Sequence, residues 1–141
     1  MEQERVVVVG AGIMGLWSAL LLREAGSQVV LVDAWGAGNS RATSGDENRV
    51  IRCGYGGSRL YSEWGLRSLA IWERRGRSWG IPLLHRCGVL WMVAGREAYM
   101  RRCEEDLRTL RIPHERMSPR AMTKRWPVIV GRGIRWALLE P

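Results

Sequence analysis

Arg5 to Gly36 reads RVVVVGAGIMGLWSALLLREAGSQVVLVDAWG. Arg5–Val9 is an apolar run of the kind that forms a parallel strand buried on both faces. Gln28–Val32 is a second such run, ending at Asp33. Between them Ile13, Leu16, Trp17, Leu20 and Leu21 recur at helical spacing, and Gly26 stands where a left-handed residue would close the helix. The order strand, glycine turn, helix, strand predicts a βαβ unit and an α/β, Rossmann-like fold.

Each glycine of Gly10-Ala11-Gly12-Ile13-Met14-Gly15 has a physical task in such a unit. Gly10 permits the tight turn from strand to helix. Gly12 lets a pyrophosphate approach the backbone, and Gly15 lets the helix pack closely on the strand. The free N–H groups and dipole of the helix start favour that anion. Ala11, Ile13 and Met14 complete the turn and join the candidate site. Asp33, at the end of the second strand and followed by Ala34, can accept hydrogen bonds from both ribose hydroxyls of an adenosine. Its charge would repel a 2′-phosphate, which argues against an NADP-type ligand.

The rest of the composition narrows the classes. The chain has 141 residues, which suggests one domain or part of a larger one. No apolar run reaches the roughly 18 residues of a membrane span. The start, MEQERVVVVG, lacks the apolar segment of a leader. Cys53, Cys87 and Cys103 show no CxxC spacing and read as reduced thiols in a cytoplasmic protein. The net charge of +8 raises nucleic acid as a partner. The basic residues are spread along the chain among the acids, with no polybasic block and no zinc-finger spacing, so no nucleic-acid role is expected. His85 and His114 lack ligand spacing, so no metal site is expected, and no serine, histidine and acid constellation suggests hydrolysis.

From Gly36 to Tyr61 the chain reads GAGNSRATSGDENRVIRCGYGGSRLY, with no four-residue apolar strand. A nicotinamide-binding domain would continue with a second helix and a third strand within about thirty residues. A long loop excursion stands here instead, and long loops tend to be functional.

At these residues the chain resembles the D-amino-acid-oxidase-type FAD-dependent oxidoreductases, and within them the monomeric sarcosine oxidase and N-methyltryptophan oxidase branch. The matching pieces are VVVVGAGIMG, LVDAWG, SGDENRVIRCGYG, LRSLAIWE, GVLWM, KRWPVI and ALLEP, in family order. Ser44 to Arg52 is the most specific piece. It is similar to the family's small-residue segment followed by an Arg-x-x-Arg pair, with Thr43, Ser44 and Gly45 in place of the family's histidine-containing version. The resemblance implies FAD as cofactor. It places Thr43 and Ser44 toward the flavin-bearing end and Arg49 beside the isoalloxazine ring. A guanidinium there would stabilise the anionic reduced ring and could orient a substrate carboxylate. Arg49 and Arg52 lie one turn apart if that stretch is helical.

Beyond the loop, Ser58 to about Arg75 reads as a helix with Tyr61, Trp64, Leu69 and Trp72 on a core-facing side, ended by Ile81-Pro82. Leu83–Arg86 and Val89–Val93 read as two strands joined through Cys87-Gly88. Arg96–Leu110 reads as a helix with Tyr99, Cys103, Leu107 and Leu110 on one stripe. Ser118-Pro119 signals a short helix ending before Trp126-Pro127, and Gly133–Leu139 reads as a strand.

The resemblance implies an FAD-dependent oxidoreductase oxidising a C–N bond of an amine or amino acid. Residues 1–79 would be the N-terminal part of the FAD-binding domain, and residues 80–141 the beginning of an α+β substrate domain. Family members are several-fold longer, so the chain is expected to be an N-terminal fragment, incomplete relative to the family. Two parallel strands with uncovered apolar faces and an unpaired edge would leave it marginal and inactive alone. No catalytic base can be named. No residue matches the late cysteine that bonds the flavin in the sarcosine oxidase branch. Two alternatives stay open: an NAD-binding dehydrogenase fragment, and a non-enzymatic nucleotide-binding module completed by a second chain.

Overall fold

The computed structural model describes residues 4–141; the first three residues of the leader-free start expected above lie outside it. The chain forms two compact units, residues 1–50 and residues 51–141.

In the first unit, strand β1 (Arg5–Val9) pairs in parallel with β2 (Gln28–Val32), with Val7 opposite Val30 and Val9 opposite Val32. Helix α1 (Ile13–Glu24) makes the crossover. It ends in a Schellman motif: the Gly26 N–H donates to the Arg23 carbonyl and the Ser27 N–H to the Leu22 carbonyl, with Gly26 at φ +98°. The βαβ unit and its closing glycine are therefore as expected.

Burial on both faces is not. Val6 and Val8 are half-buried, whereas Val7 and Val9 are 64% and 82% exposed. One helix can cover only one face of a two-stranded sheet. The four valines Val7, Val9, Val30 and Val32 form an open apolar face on the other, so of the faces expected to be uncovered one stays open and the other is half-covered. From Asp33 to Ser58 the described chain contains no helix or strand, in accord with the loop excursion. The stretch from Arg49 to Arg52 is not helical, so these two arginines do not share a helix face.

In the second unit the central strand is β5 (Trp136–Glu140), between β3 (Val89–Val93) and β4 (Glu115–Met117), both antiparallel to it. All five residues of β5 are buried. Strand alternation sends Trp136 and Leu138 into one cluster, with Cys53, Val93, Met100, Cys103, Leu107 and Ile112. It sends Ala137 and Leu139 into another, with Met117 and Met122. Helix α3 (Glu97–Thr109) contributes Met100, Cys103 and Leu107 to the first cluster. Helix α4 (Pro119–Arg125) contributes Met122 to the second; the Ser118 hydroxyl accepts from the Ala121 N–H, and Pro119 occupies the first turn, as its sequence signals.

Three expectations are corrected here. Leu83–Arg86 forms no strand; β3 takes β5 as its partner, from the far end of the chain, in place of an adjacent hairpin. The last strand begins at Trp136, three residues later than expected, and extends to Glu140. Helix α2 (Arg59–Trp79) runs past Arg75 and ends at Gly80, which adopts φ +66°. Its buried residues are Ser62 and Gly65, while Tyr61 and Trp64 are each 51% exposed. The reason is a close backbone approach: a Cβ on Gly65 would lie 2.4 Å from the Arg52 carbonyl oxygen. Small residues therefore face inward, and the neighbouring aromatics are turned out. Strand β4 has only three residues and no sequence signal of its own.

Candidate functional site

The first unit gathers most of the candidate residues. Gly10 turns the chain at φ +100°, a conformation that side chains disfavour, and its N–H donates to the Val32 carbonyl at 2.7 Å. A Cβ on Gly15 would stand 1.7 Å from the Gly10 carbonyl oxygen, so this glycine lets the helix start sit on the turn. Gly12 differs. At φ −72° a side chain would be unstrained, and its Cβ would meet only the Ala42 Cβ and the Ser44 Oγ, both at 3.9 Å. No demand of the fold excludes a side chain at Gly12, whereas an anion seated on the backbone would.

Ser44, 31 positions beyond Ile13 in sequence, accepts a hydrogen bond from the Ile13 N–H at 3.1 Å. It thereby caps the first helical residue in place of Gly12, which has no side chain to do so. Other N–H groups of the first turn have no intrahelical acceptor and carry the positive end of the helix dipole. Met14 is exposed, so this end is open.

Asp33 is held at both carboxylate oxygens. Oδ2 accepts from the Ala11 N–H and Oδ1 from the Trp35 N–H, each at 2.7 Å. These two bonds, the one from Ala11 first, hold the carboxyl below the usual carboxylate range. Each oxygen keeps a lone pair for a hydroxyl donor. Ala34 is exposed beside it.

The loop that delivers Ser44 is built by a residue that sequence reasoning passed over. The Asn39 Oδ1 accepts from the N–H groups of Arg41 and Ala42, and its Nδ2 donates to the Gly36 carbonyl. Asn in a Gly-Asn-Ser setting is a turn signal that could have found it. Arg41 lays its guanidinium on the Trp35 ring, 4.6 Å from the centroid. Arg49 pairs with Asp46 at 3.0 Å and also donates to the Thr43 carbonyl, which ties the Thr43 backbone to the arginine. Gly10, Ala11, Gly12, Ile13, Gly15, Asp33, Thr43, Ser44 and Arg49 thus belong to one connected local arrangement, and its open anion cradle fits a dinucleotide phosphate.

The second unit holds a different cluster. Glu140 is 6% exposed, and its carboxylate accepts from the Cys53 N–H at 2.7 Å, the Gly54 N–H at 3.0 Å and the Trp91 indole N–H at 2.7 Å. Arg52 lies over two rings, 5.2 Å from the Tyr55 centroid and 5.3 Å from that of Trp91. Among the described residues no carboxylate pairs with it. Burial first, and the charge of Glu140 second, push the Cys53 thiol up to about 11. Burial also raises the Cys103 thiol. Neither is a poised nucleophile. Glu140 escaped the sequence reading because one acid closing an apolar run carries no sign of what it will meet across 86 residues of chain.

The family model described as FAD dependent oxidoreductase, the DAO family, matches residues 5–141. An N-methyl-L-tryptophan oxidase from Yersinia pestis (strain Pestoides F) is 23% identical over 136 residues, covering 96% of this chain and 37% of that enzyme. The L-proline dehydrogenase from P. horikoshii superposes with a TM-score of 0.83 at 20% identity, over 99% of this chain and 37% of that one. A variant of an unusual amino acid oxidase essential for nikkomycin biosynthesis does so with a TM-score of 0.76 at 23% identity, over 99% and 36%. The chain spans about 37% of the length of the curated relatives it matches. Among the described residues no group of His, Cys, Asp and Glu could hold a metal ion, and no helix is long and apolar enough to cross a membrane.

Proposed function

From the premise that the chain belongs to the DAO family of FAD dependent oxidoreductases, we propose that its first unit binds the ADP half of FAD. The observation that carries this is Asp33. Its carboxylate is tied to the turn by the Ala11 N–H, so the residue that would read the ribose and the turn that would seat the pyrophosphate form one rigid piece. The turn from Gly10 through Ala11, Gly12, Ile13 and Met14 to Gly15 receives the pyrophosphate, with the Ala11 and Ile13 N–H groups shaping it through Asp33 and Ser44. Asp33, with Ala34 beside it, receives the ribose. Thr43, Ser44 and Arg49 lie toward the flavin.

When bound, FAD would supply hydride-accepting chemistry at the carbon next to a substrate nitrogen. Oxidation of a C–N bond in a small amine or amino acid is the activity we assign to the complete catalytic unit. The names of an N-methyl-L-tryptophan oxidase, an L-proline dehydrogenase and an amino acid oxidase among the similar proteins support that class. This chain's share is to bind and orient the cofactor and to present cationic side chains. The functional boundary in this proposal lies between residues 79 and 80, with the start of the FAD-binding domain before it and of the substrate domain after it. The compact units divide earlier, at Val50 and Ile51. The open face of Val7, Val9, Val30 and Val32 supports a further part of the proposal: more sheet, from elsewhere in a longer chain or from a second chain, covers it. Cytoplasmic residence, with three free thiols, belongs to the same reading.

The test is an absorbance spectrum of the purified chain after incubation with FAD and gel filtration. A flavin band at about 450 nm that denaturant releases supports the proposal. No retained flavin, together with saturable binding of NAD, would overturn it.

A further inference from the structure

We propose that Arg41, held on the face of Trp35, supplies the positive charge that pairs with the pyrophosphate of the bound dinucleotide. The proposal rests on the dinucleotide reading above and adds to it a residue outside the glycine turn.

A pyrophosphate carries more negative charge than a few N–H groups and a helix dipole neutralise, so a cation near the cradle is expected. The first unit offers four described arginines. Arg5 opens β1, at the end of the strand away from Gly10, and Arg23 lies in the last turn of α1. Arg49 is committed to Asp46 and to the Thr43 carbonyl. Arg41 remains. Its backbone is fixed by the Asn39 side chain, which accepts from its N–H at 3.0 Å. The next residue, Ala42, is the one a Cβ on Gly12 would touch, so the backbone that carries Arg41 runs beside the helix start.

The guanidinium is restrained as well. It stacks on Trp35, and the Trp35 N–H donates to Asp33. A cation–π contact orients the planar group while leaving its edge N–H donors free, and no carboxylate among the described residues pairs with them. Ribose reader, indole, cation and phosphate cradle are thus linked through consecutive contacts within one short stretch. An arginine there could instead meet a 2′-phosphate on the ribose. Asp33, with its carboxyl held ionised by two backbone bonds, sits at the ribose position and disfavours that group.

The test titrates the whole chain with adenosine, ADP and adenosine 2′-phosphate, followed by NMR shifts of the indole N–H signals, in wild type, Arg41→Gln and Trp35→Leu. The ADP-to-adenosine affinity ratio isolates the phosphate contribution, which a merely structural role of Arg41 would not move. Wild type is expected to favour ADP over adenosine. Arg41→Gln should cut that ratio about tenfold with adenosine binding unchanged, the loss of one charge-assisted contact. Trp35→Leu should cut it by less. Arg41→Gln within about twofold of the wild-type ratio would overturn the proposal. An Arg41-dependent preference for adenosine 2′-phosphate would overturn it too, in favour of ribose-phosphate binding. Failure of wild type to bind any of the three would sink the dinucleotide reading itself, and the role of Arg41 with it.

Discussion

Glu140→Gln isolates the charge of the buried carboxylate while keeping its size. In the wild type, Oε2 meets the Cys53 N–H, and Oε1 meets both the Gly54 N–H and the Trp91 indole N–H. Glutamine can keep one oxygen on Gly54 and Trp91, but its NH2 group then faces the Cys53 N–H, donor against donor. An orphaned buried donor costs about 1–3 kcal/mol. The two remaining bonds fall from charge-assisted to neutral, about 1 kcal/mol each. Removing a buried charge offsets part of this, because its desolvation is relieved. The net expectation is a loss of roughly 2 kcal/mol, which for a unit of this size lowers the melting temperature by about 8–16 °C. Glu140→Ala strands all three donors, a cost of about 3–9 kcal/mol before the relief of the buried charge, and should be the most damaging of the set. Trp91→Phe removes one donor and leaves the carboxylate with two partners, so about 1 kcal/mol is expected. Urea unfolding followed by tryptophan fluorescence and circular dichroism measures all three, and the slope with urea should not change. The double variant should show a coupling near 1 kcal/mol. If Glu140→Gln behaves like a surface substitution, within about 0.5 kcal/mol, the carboxylate is not the acceptor that joins β5 to residues 53 and 54.

Gly12→Ala and Gly15→Ala should separate binding from folding. The first meets its neighbours at ordinary contact distance and should melt like wild type while losing ADP binding; the second drives a methyl into the Gly10 carbonyl and should cost the first unit at least about 1–3 kcal/mol, read as lost amide-exchange protection. If the two variants exchange these phenotypes, the assignment of cradle and packing glycine is reversed. Asp33→Asn should weaken ADP binding at least about tenfold, because a charged acceptor for ribose is lost. The Asp33 carboxyl is held below its ordinary value of 3.8, so its contribution is fully present above that pH and fades as pH falls through the lowered value. Unchanged ADP affinity at neutral pH would rule Asp33 out of the site. Exposed Cys87 should be the one thiol that a disulfide reagent labels quickly in the folded chain, with Cys53 and Cys103 reacting after denaturation. The Cys53 thiol rises from 9.0 to about 11, so the unfolded chain ionises first and stability should decline across that interval; a chain whose stability is flat there would contradict a buried, neutral Cys53.

The parts legible in the sequence share one property: their causes are local. The turn from Gly10 to Gly15, the αL closure at Gly26 and the Ser118-Pro119 start of α4 each depend on a few consecutive residues, and each formed as read. Helix faces were less secure. The aromatic spacing of α2 suggested a face, and Leu69 of that face packs against the core, but near the Arg52 carbonyl Ser62 and Gly65 are the buried residues and Tyr61 and Trp64 turn outward. For α3, Cys103 and Leu107 are buried as expected, while Tyr99 is exposed and Met100 takes the inward place. Pairing was hardest. Val89–Val93 is a strand by its residues, yet nothing near it announces that Trp136–Glu140 is its partner. The resemblance singled out Ser44 as a residue toward the flavin; that its hydroxyl caps α1 at Ile13 came only with the fold.

The two units also differ in what holds them. The second has its own core, two clusters on opposite sides of a fully buried β5, and gives the buried Glu140 carboxylate three donors. The first has Ala11 as its one buried apolar residue among those described. Its order comes from hydrogen bonds: Asp33 to Ala11, Ser44 to Ile13, Asn39 to its own loop. Such bonds each contribute about 1 kcal/mol net and carry little cooperative stability without buried area behind them. They do determine shape. On the dinucleotide reading proposed above, a region whose geometry is specified by polar contacts around an open helix end is organised for its ligand more than for its own stability. In such a region the free energy of binding adds directly to that of folding. The exposed valines Val7, Val9, Val30 and Val32 are what a larger sheet would bury, so dinucleotide and additional sheet should stabilise the first unit together.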